Sequence, residues 1–136
     1  MKPFYLLDTD LCVALIRTPL VEETPCWRAV DASRCLVSAI TAAELEVGAN
    51  KAANKVRERL MVDELLARFQ VVPFDREAAG HYGDIRAELE KKGASIGPLD
   101  LLIAGHARSL GAMLITANTR EFRRVPGLKC LDWTME

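Results

Sequence analysis

The sequence predicts an α/β fold: one three-layer domain over residues 1–136, a mostly parallel sheet of about five short strands with helices on both faces. Short apolar runs alternate along the chain with longer amphipathic stretches, the pattern of strand–helix–strand units. A length of 136 residues fits one ordinary domain and leaves no room for two. No internal repeat, low-complexity segment or linker divides it.

The elements follow in order. Phe4 to Leu7 is a buried strand, followed by a polar turn and a short helix around Leu11 to Ile16. A second helix is expected within Val21 to Val30, limited by Pro19 and Pro25, then a strand from Cys35 to Val37. Thr41-Ala-Ala-Glu44 has the form of a capping box and opens a helix through Val47, with Gly48 as its stop. From Lys51 to Phe69, the apolar residues Val56, Leu60, Met61, Leu65 and Phe69 define one helical face. Gln70 to Val72 is a short strand closed by Pro73. Asp75 to Lys92 is a long amphipathic helix ended by Gly93. Gly97-Pro98 starts the next helix, which runs to about Leu110 and stops at Gly111. A strand at Met113 to Ile115, a short helix near Arg120 and a strand at Lys129 to Leu131 complete the chain.

Composition narrows the function classes. Half of the residues are apolar, so a core can form and disorder is not expected. The formal net charge of -1 gives no global basic field, so a nucleic-acid partner would have to be met by a local patch. Cys12, Cys26, Cys35 and Cys130 form no CxxC pair and no zinc-ligand spacing, and are expected to be reduced filler in a cytoplasmic protein. No signal peptide and no membrane span are expected. Neither GxGxxG nor GxxxxGK[ST] occurs, so a phosphate-binding glycine loop is excluded.

Acidic and amide residues lie where a parallel sheet binds ligands, beyond the carboxyl ends of its strands. Asp8 follows the first strand directly, Glu44 lies on the first turn of the helix after the Cys35 strand, and Asn118 and Glu121 follow the Met113 strand. Asp100 opens the helix that feeds that strand, which puts it on the same rim. Carboxylates gathered there repel one another unless a cation intervenes, and hard divalent ions such as magnesium or manganese suit all-oxygen ligands. Each residue also has a structural reading. Asp8 is a candidate helix cap, Glu44 fits the capping box, Asp100 favours the helix dipole, and Asn118 to Glu121 has cap spacing. His106, six residues after Asp100 and about 240° round the helix, points away from it and is taken as structural, as is His81. Arg120, Arg123 and Arg124 beside the acids are candidate phosphate contacts, with Arg17 and Arg86 as further ones. Lys51, Lys55, Arg57 and Arg59 make a second basic face, for which an ordinary solvated helix surface is the simpler account.

Four blocks carry a family resemblance: LLDTD at the start, SAITAAELEVGA in the middle, IGPLDLLIAGHARSLGAMLITANTREFRRVPGL, and a closing LDW. Together they resemble the VapC toxins, PIN-domain ribonucleases of bacterial and archaeal toxin–antitoxin pairs. The resemblance implies a PIN-like sheet flanked by helices and an acidic pocket for Mg2+ or Mn2+. It carries the first three acids of that family to Asp8, Glu44 and Asp100, with Asp8 and Asp100 as metal ligands. The fourth position, often Asp, falls on Asn118, so the family's four-acid site is not complete in this sequence. Either Glu121 supplies the missing carboxylate as a catalytic residue, or Asn118 positions metal or water. Asp10 stands where Asn is common, either tuning the site or capping a helix. The resemblance further implies an RNA substrate, a VapB-type antitoxin and a homodimer, and the TREFRRVPGL and LDW end is similar to toxins that cut initiator tRNA. Two alternatives stay open: a PIN-like RNA- or protein-binding module with a decayed site, favoured by Asn118, and a metal-dependent phosphatase or DNA nuclease on the same architecture.

Overall fold

Five strands among the described residues form one parallel sheet in the computed structural model, which describes residues 3–134. The elements run β1 (Tyr5–Leu7), α1 (Thr9–Arg17), α2 (Pro25–Ala29), β2 (Cys35–Ser38), α3 (Ala39–Lys51), α4 (Lys55–Arg68), β3 (Gln70–Val72), α5 (Arg76–Lys91), α6 (Pro98–Leu110), β4 (Met113–Thr116), α7 (Thr119–Phe122) and β5 (Cys130–Asp132). Strand order is β3-β2-β1-β4-β5, and every pairing is parallel.

Alternation along the strands builds two cores. Leu6, Leu36 and Leu114 point to one face, where Ile85, Leu89, Leu101, Ile103 and Phe122 from α5, α6 and α7 cover them. Leu7, Val37 and Ile115, their neighbours in sequence, point to the other, covered by Leu11 of α1, Leu45 of α3, and Val62 and Leu65 of α4. Helices on both faces therefore confirm the three-layer α/β expectation. The α5 and α6 helices pack closely at Gly105, where a Cβ would lie 2.8 Å from the Tyr82 backbone.

Four local expectations need correction. The Val21 to Val30 segment is a 3-10 turn (Pro19–Glu23) followed by the short α2, because Pro25 disfavours helical backbone at Thr24. Thr24 caps α2 instead, accepting the Trp27 N–H at 3.4 Å. The capping box is also absent. Ser38 is the cap of α3, its hydroxyl accepting the Ile40 N–H at 3.0 Å, so Thr41 is already inside the helix and Glu44 lies a turn further along. Gly48 does not stop this helix, which continues to Lys51. Finally, Lys51 and Phe69 do not bound a single helix. Asn54 starts α4 afresh by accepting the Arg57 N–H at 3.1 Å, which resets the helical phase. The inward face is Glu58, Val62 and Leu65, while Val56 and Leu60 are 83% and 60% exposed. Glu58 can turn inward because Arg17 grips it with two bonds, of 2.6 and 3.1 Å.

Candidate functional site

The chain leaves β1 toward β2 and β3 on one side, then returns to β4 and β5 on the other. The crevice at the carboxyl ends of β1 and β4 is thus a topological switch point, where open α/β sheets bind ligands. Asp8 stands at that point. Its N–H continues the sheet ladder to the Ile115 carbonyl at 2.9 Å, and its carboxylate does two things at once. Oδ1 accepts the Thr9 N–H at 2.9 Å and so caps α1, while Oδ2 accepts the Thr116 hydroxyl at 2.7 Å. The residue is 5% exposed. Burial pushes its pKa up to about 7 against the opposing Thr116 bond, with the charge of Asp10, and to a lesser degree of Asp100, adding to the rise.

Asp100 lies in the first turn of α6, with its pKa raised to about 6. Burial is the main cause, followed by a side-chain hydrogen bond with Glu121 and the charges of Glu121, Glu44 and Asp10. Glu121, on α7, is held by Asn118, whose side-chain amide donates to Glu121 Oε2 at 2.8 Å. Asn118 occupies the cap position of α7 without a side-chain cap bond, so the cap expected from its spacing gives way to a bond with Glu121. Glu44 accepts the Thr9 hydroxyl at 2.9 Å. The Thr9 hydroxyl has one proton, so Thr41, 3.0 Å away and fully buried, is the donor to Thr9. Asp10 accepts the Ala117 N–H at 3.2 Å, which ties the start of α1 to the loop after β4.

The structure therefore brings Asp8, Asp100, Glu44 and Glu121 into one electrostatic neighbourhood, with Asp10 as a fifth contributor. Thr9, Thr41 and Thr116 were not expected from the sequence, since a threonine in a strand or helix start carries no sign of which carboxylate it will meet. Of the arginines, Arg120, Arg123 and Arg124 are exposed on and just after α7, and Arg124 reaches the Ser95 carbonyl at 3.3 Å. The other two are taken. Arg17 pairs with Glu58, and Arg86 is bound to Glu90 at 3.0 Å and to the Tyr82 hydroxyl at 2.7 Å. The Lys51 to Arg59 face is also split, Lys51 ending α3 and Arg59 being bound to Glu46 at 2.6 Å. Both histidines have structural partners, as expected: Arg108 donates to His81 at 2.8 Å, and His106 meets Ser38 at 2.8 Å.

An all-oxygen set with two carboxyls pushed toward neutrality fits a hard divalent cation, which would relieve the repulsion that raises them. Among the described residues, no three His, Cys, Asp or Glu side chains already stand close enough to form a coordination group. The fit rests on donor chemistry and charge, without a preformed cage. Beside Glu44, a cavity of about 170 Å³ runs between α1, α3 and α4, with Val13, Ile16, Leu45 and Val62 among its walls.

The fold and the rim of acids define the class: this chain belongs to the PIN domain family, whose model matches residues 5–128. Over 129 residues it is 40% identical to the tRNA(fMet)-specific endonuclease VapC of Salmonella typhimurium, covering 95% of this chain and 97% of that protein. It is 37% identical to the ribonuclease VapC2 of Haemophilus influenzae over the same shares. Among solved structures, the DNA-bound VapBC of Salmonella typhimurium matches with a TM-score of 0.89 and 39% identity, over 97% of this chain and 99% of that one. VapBC-1 of nontypeable Haemophilus influenzae matches at 0.86 and 35%, over 97% and 99%.

Proposed function

We propose that this chain is a divalent-metal-dependent endoribonuclease, the toxin of a VapBC-type pair, and that it cuts initiator tRNA. Asp8, Glu44, Asp100 and Glu121 are its catalytic carboxylates in this reading, with Asp8 and Asp100 holding Mg2+ or Mn2+. The observation that carries it is the pair Asp8 and Asp100 at the switch point, both with raised pKa values and with the charge of Asp100 reaching Asp8. Relatives named as ribonucleases and as tRNA(fMet)-specific endonucleases at 37–40% identity supply the substrate class.

Asp8 and Asp100 would hold a divalent ion there, which would supply charge compensation at the phosphate and a water of lowered pKa. The protein's own residues do the positioning. Thr116 and the Thr9 N–H fix the Asp8 carboxylate at the end of β1, and the Thr9 hydroxyl fixes Glu44. Asn118 turns Glu121 toward Asp100, so the residue at the fourth position acts through its neighbour. In the metal-free protein the Asp100 carboxyl holds a proton below about pH 6, a proton that a bound cation would displace. Arg120, Arg123 and Arg124, exposed beside the acids, steady the RNA backbone. Hydrolysis by water leaves a 5′-phosphate and a 3′-hydroxyl.

The antitoxin is a VapB-type protein, in keeping with the VapBC complexes among the structural neighbours. The apolar cavity that opens beside Glu44 supports a blocking segment entering the site. Exposed Val56 and Leu60, one turn apart on α4, favour a homodimer. Residues 1–136 act as a single domain in this reading. Free cysteines suit the cytoplasm, and no helix of the described residues is long and apolar enough to cross a membrane.

Cleavage of purified tRNA, initiator tRNA included, tests the proposal with Mg2+ or Mn2+ against EDTA, for wild type and Asp8→Ala. A discrete, metal-dependent cut that is lost in the variant is expected. No cleavage of any RNA by folded, antitoxin-free wild type would favour the rival reading, a PIN-like binding module. Asn118 and the open arrangement of the acids are the observations on its side.

A further inference from the structure

Away from the acids, one buried polar group links elements that hydrophobic packing alone could join. His106 is 1% exposed and Ser38 fully buried, with His106 Nδ1 2.8 Å from the Ser38 hydroxyl oxygen. That oxygen already accepts the Ile40 N–H as the cap of α3, and its single proton is free for the imidazole. With the hydroxyl as donor Nδ1 accepts, and the imidazole also makes a hydrogen bond to the Pro73 backbone. Burial lowers the imidazole pKa against the charge of Asp75, which keeps the ring in the neutral form this pattern needs. The Phe74 ring meets the imidazole edge-on, centroids 5.4 Å apart. One side chain of α6 thus holds the segments that leave both β2 and β3 at their carboxyl ends.

We propose that His106 is a positioning residue for the carboxylate site: by tying the start of α3 to α6, it sets the separation of Glu44 from Asp100. The proposal rests on the reading that these acids form the active site. Glu44 lies six residues after Ser38 on α3, and Asp100 lies six residues before His106 on α6. Each acid is therefore about 9 Å of helix rise from the link. With arms of that length, a 5° change in the angle between the helices moves one acid against the other by roughly 0.8 Å. Displacements near 1 Å cost on the order of 100-fold in rate where geometry is catalytic. The neighbouring Gly105 seats α6 on α5 at Tyr82, and beside the apolar packing of Ile40 on the α6 core the His106–Ser38 bond adds a directional link between α6 and α3.

Wild type is compared with His106→Leu, His106→Asn, Ser38→Ala and the destabilised control Ile85→Val, a buried site on α5 away from the acids. Calorimetry measures the Mn2+ Kd of the RNA-free protein, and tRNA cleavage gives kcat and KM. His106→Leu should raise the Mn2+ Kd by about tenfold or more and lower kcat by roughly 10- to 100-fold, with KM little changed. His106→Asn, whose side-chain carbonyl can accept from Ser38, should recover most of the metal affinity. Ser38→Ala combined with His106→Leu should be no worse than Ser38→Ala alone, which removes the cap of α3 as well as the link. Ile85→Val should lose stability with its Mn2+ Kd unchanged. If His106→Leu does not fold, His106→Asn and Ser38→Ala carry the same comparison with Ile85→Val. Wild-type Kd and kcat in folded His106→Leu or Ser38→Ala would overturn the proposal, as would an equal rise in Kd for Ile85→Val. Wild type that neither binds Mn2+ nor cuts RNA would remove the active-site reading itself, and this proposal with it.

Discussion

Replacing Asp8 by asparagine should stabilise the metal-free protein, by an amount that grows with pH. The Asp8 carboxyl titrates at about 7 in the folded chain, against an ordinary value of 3.8. Between those values the folded state keeps the proton and the unfolded state has lost it, so stability falls as pH rises from about 4, and the fall is complete above about 7. A difference of about three pKa units corresponds to a ceiling of about 4 kcal/mol for this 5%-exposed group. The asparagine amide cannot accept both bonds that Oδ1 and Oδ2 now accept, which offsets about 1 kcal/mol. The net expectation is about 3 kcal/mol of extra stability at pH 8, or roughly 10 °C in Tm, and a loss of up to about 1 kcal/mol at pH 4, where only the missing bond counts. Urea unfolding in EDTA from pH 4 to pH 8 measures it as variant minus wild type. Asp100, raised in the same direction, contributes to both proteins and largely cancels. Saturating Mn2+ should then reverse the order, because ligand binding stabilises only the protein that retains the site. A difference that stays flat from pH 4 to pH 8 would refute the reasoning, because Asp8 would then not be a desolvated carboxyl.

Asp100→Ala should abolish metal-dependent RNA cleavage while leaving the circular dichroism spectrum unchanged, and cleavage at the wild-type rate would remove Asp100 from the site. Glu121→Gln should lower the pKa of Asp100 below about 6, because it removes a neighbouring negative charge; carboxyl-carbon NMR titration reads the shift. Gly105→Ala should cost about 1–3 kcal/mol in urea unfolding, since its Cβ would lie 2.8 Å from backbone atoms of Tyr82 that cannot move without shifting α5. Arg17→Ala should cost about 1–2 kcal/mol by leaving the buried Glu58 without its two charged bonds, and Arg17→Ala in a Glu58→Gln background should cost less.

The regular parts of the fold were legible because periodicity and glycine chemistry agree there. Gly93 and Gly111 both have φ of +63° at the ends of α5 and α6, the left-handed conformation a terminating glycine supplies. The same reasoning failed at Gly48, where nothing approaches within 4 Å and the helix runs on. On α4, apolar spacing fitted a face through Val56 and Leu60, but Asn54 restarts the helix and Glu58 lies inward, held by Arg17 from 41 residues away. The acids were legible because strand ends and helix starts place them on one rim. What held them was not. Thr9, Thr41 and Thr116 act across 35, 32 and 108 residues of sequence, and no local pattern encodes such a bond.

The two readings of Asp8, helix cap and site acid, do not compete in the folded chain. Capping uses Oδ1 and fixes the rotamer, which delivers Oδ2 to the Thr116 hydroxyl at the mouth of the crevice. A carboxylate that is buried and surrounded by other acids needs such bonds, because without them desolvation would drive it further toward the protonated form. The helix N-terminus and the threonine hydroxyl therefore keep Asp8 near the boundary between charged and neutral at physiological pH, a state that a cation can tip. The same logic bears on the basic groups nearest the proposed site, which stay exposed around α7 rather than pairing with the rim: an arginine bound to Asp8 or Asp100 would lower their pKa values and occupy the oxygens that the proposed cation would use.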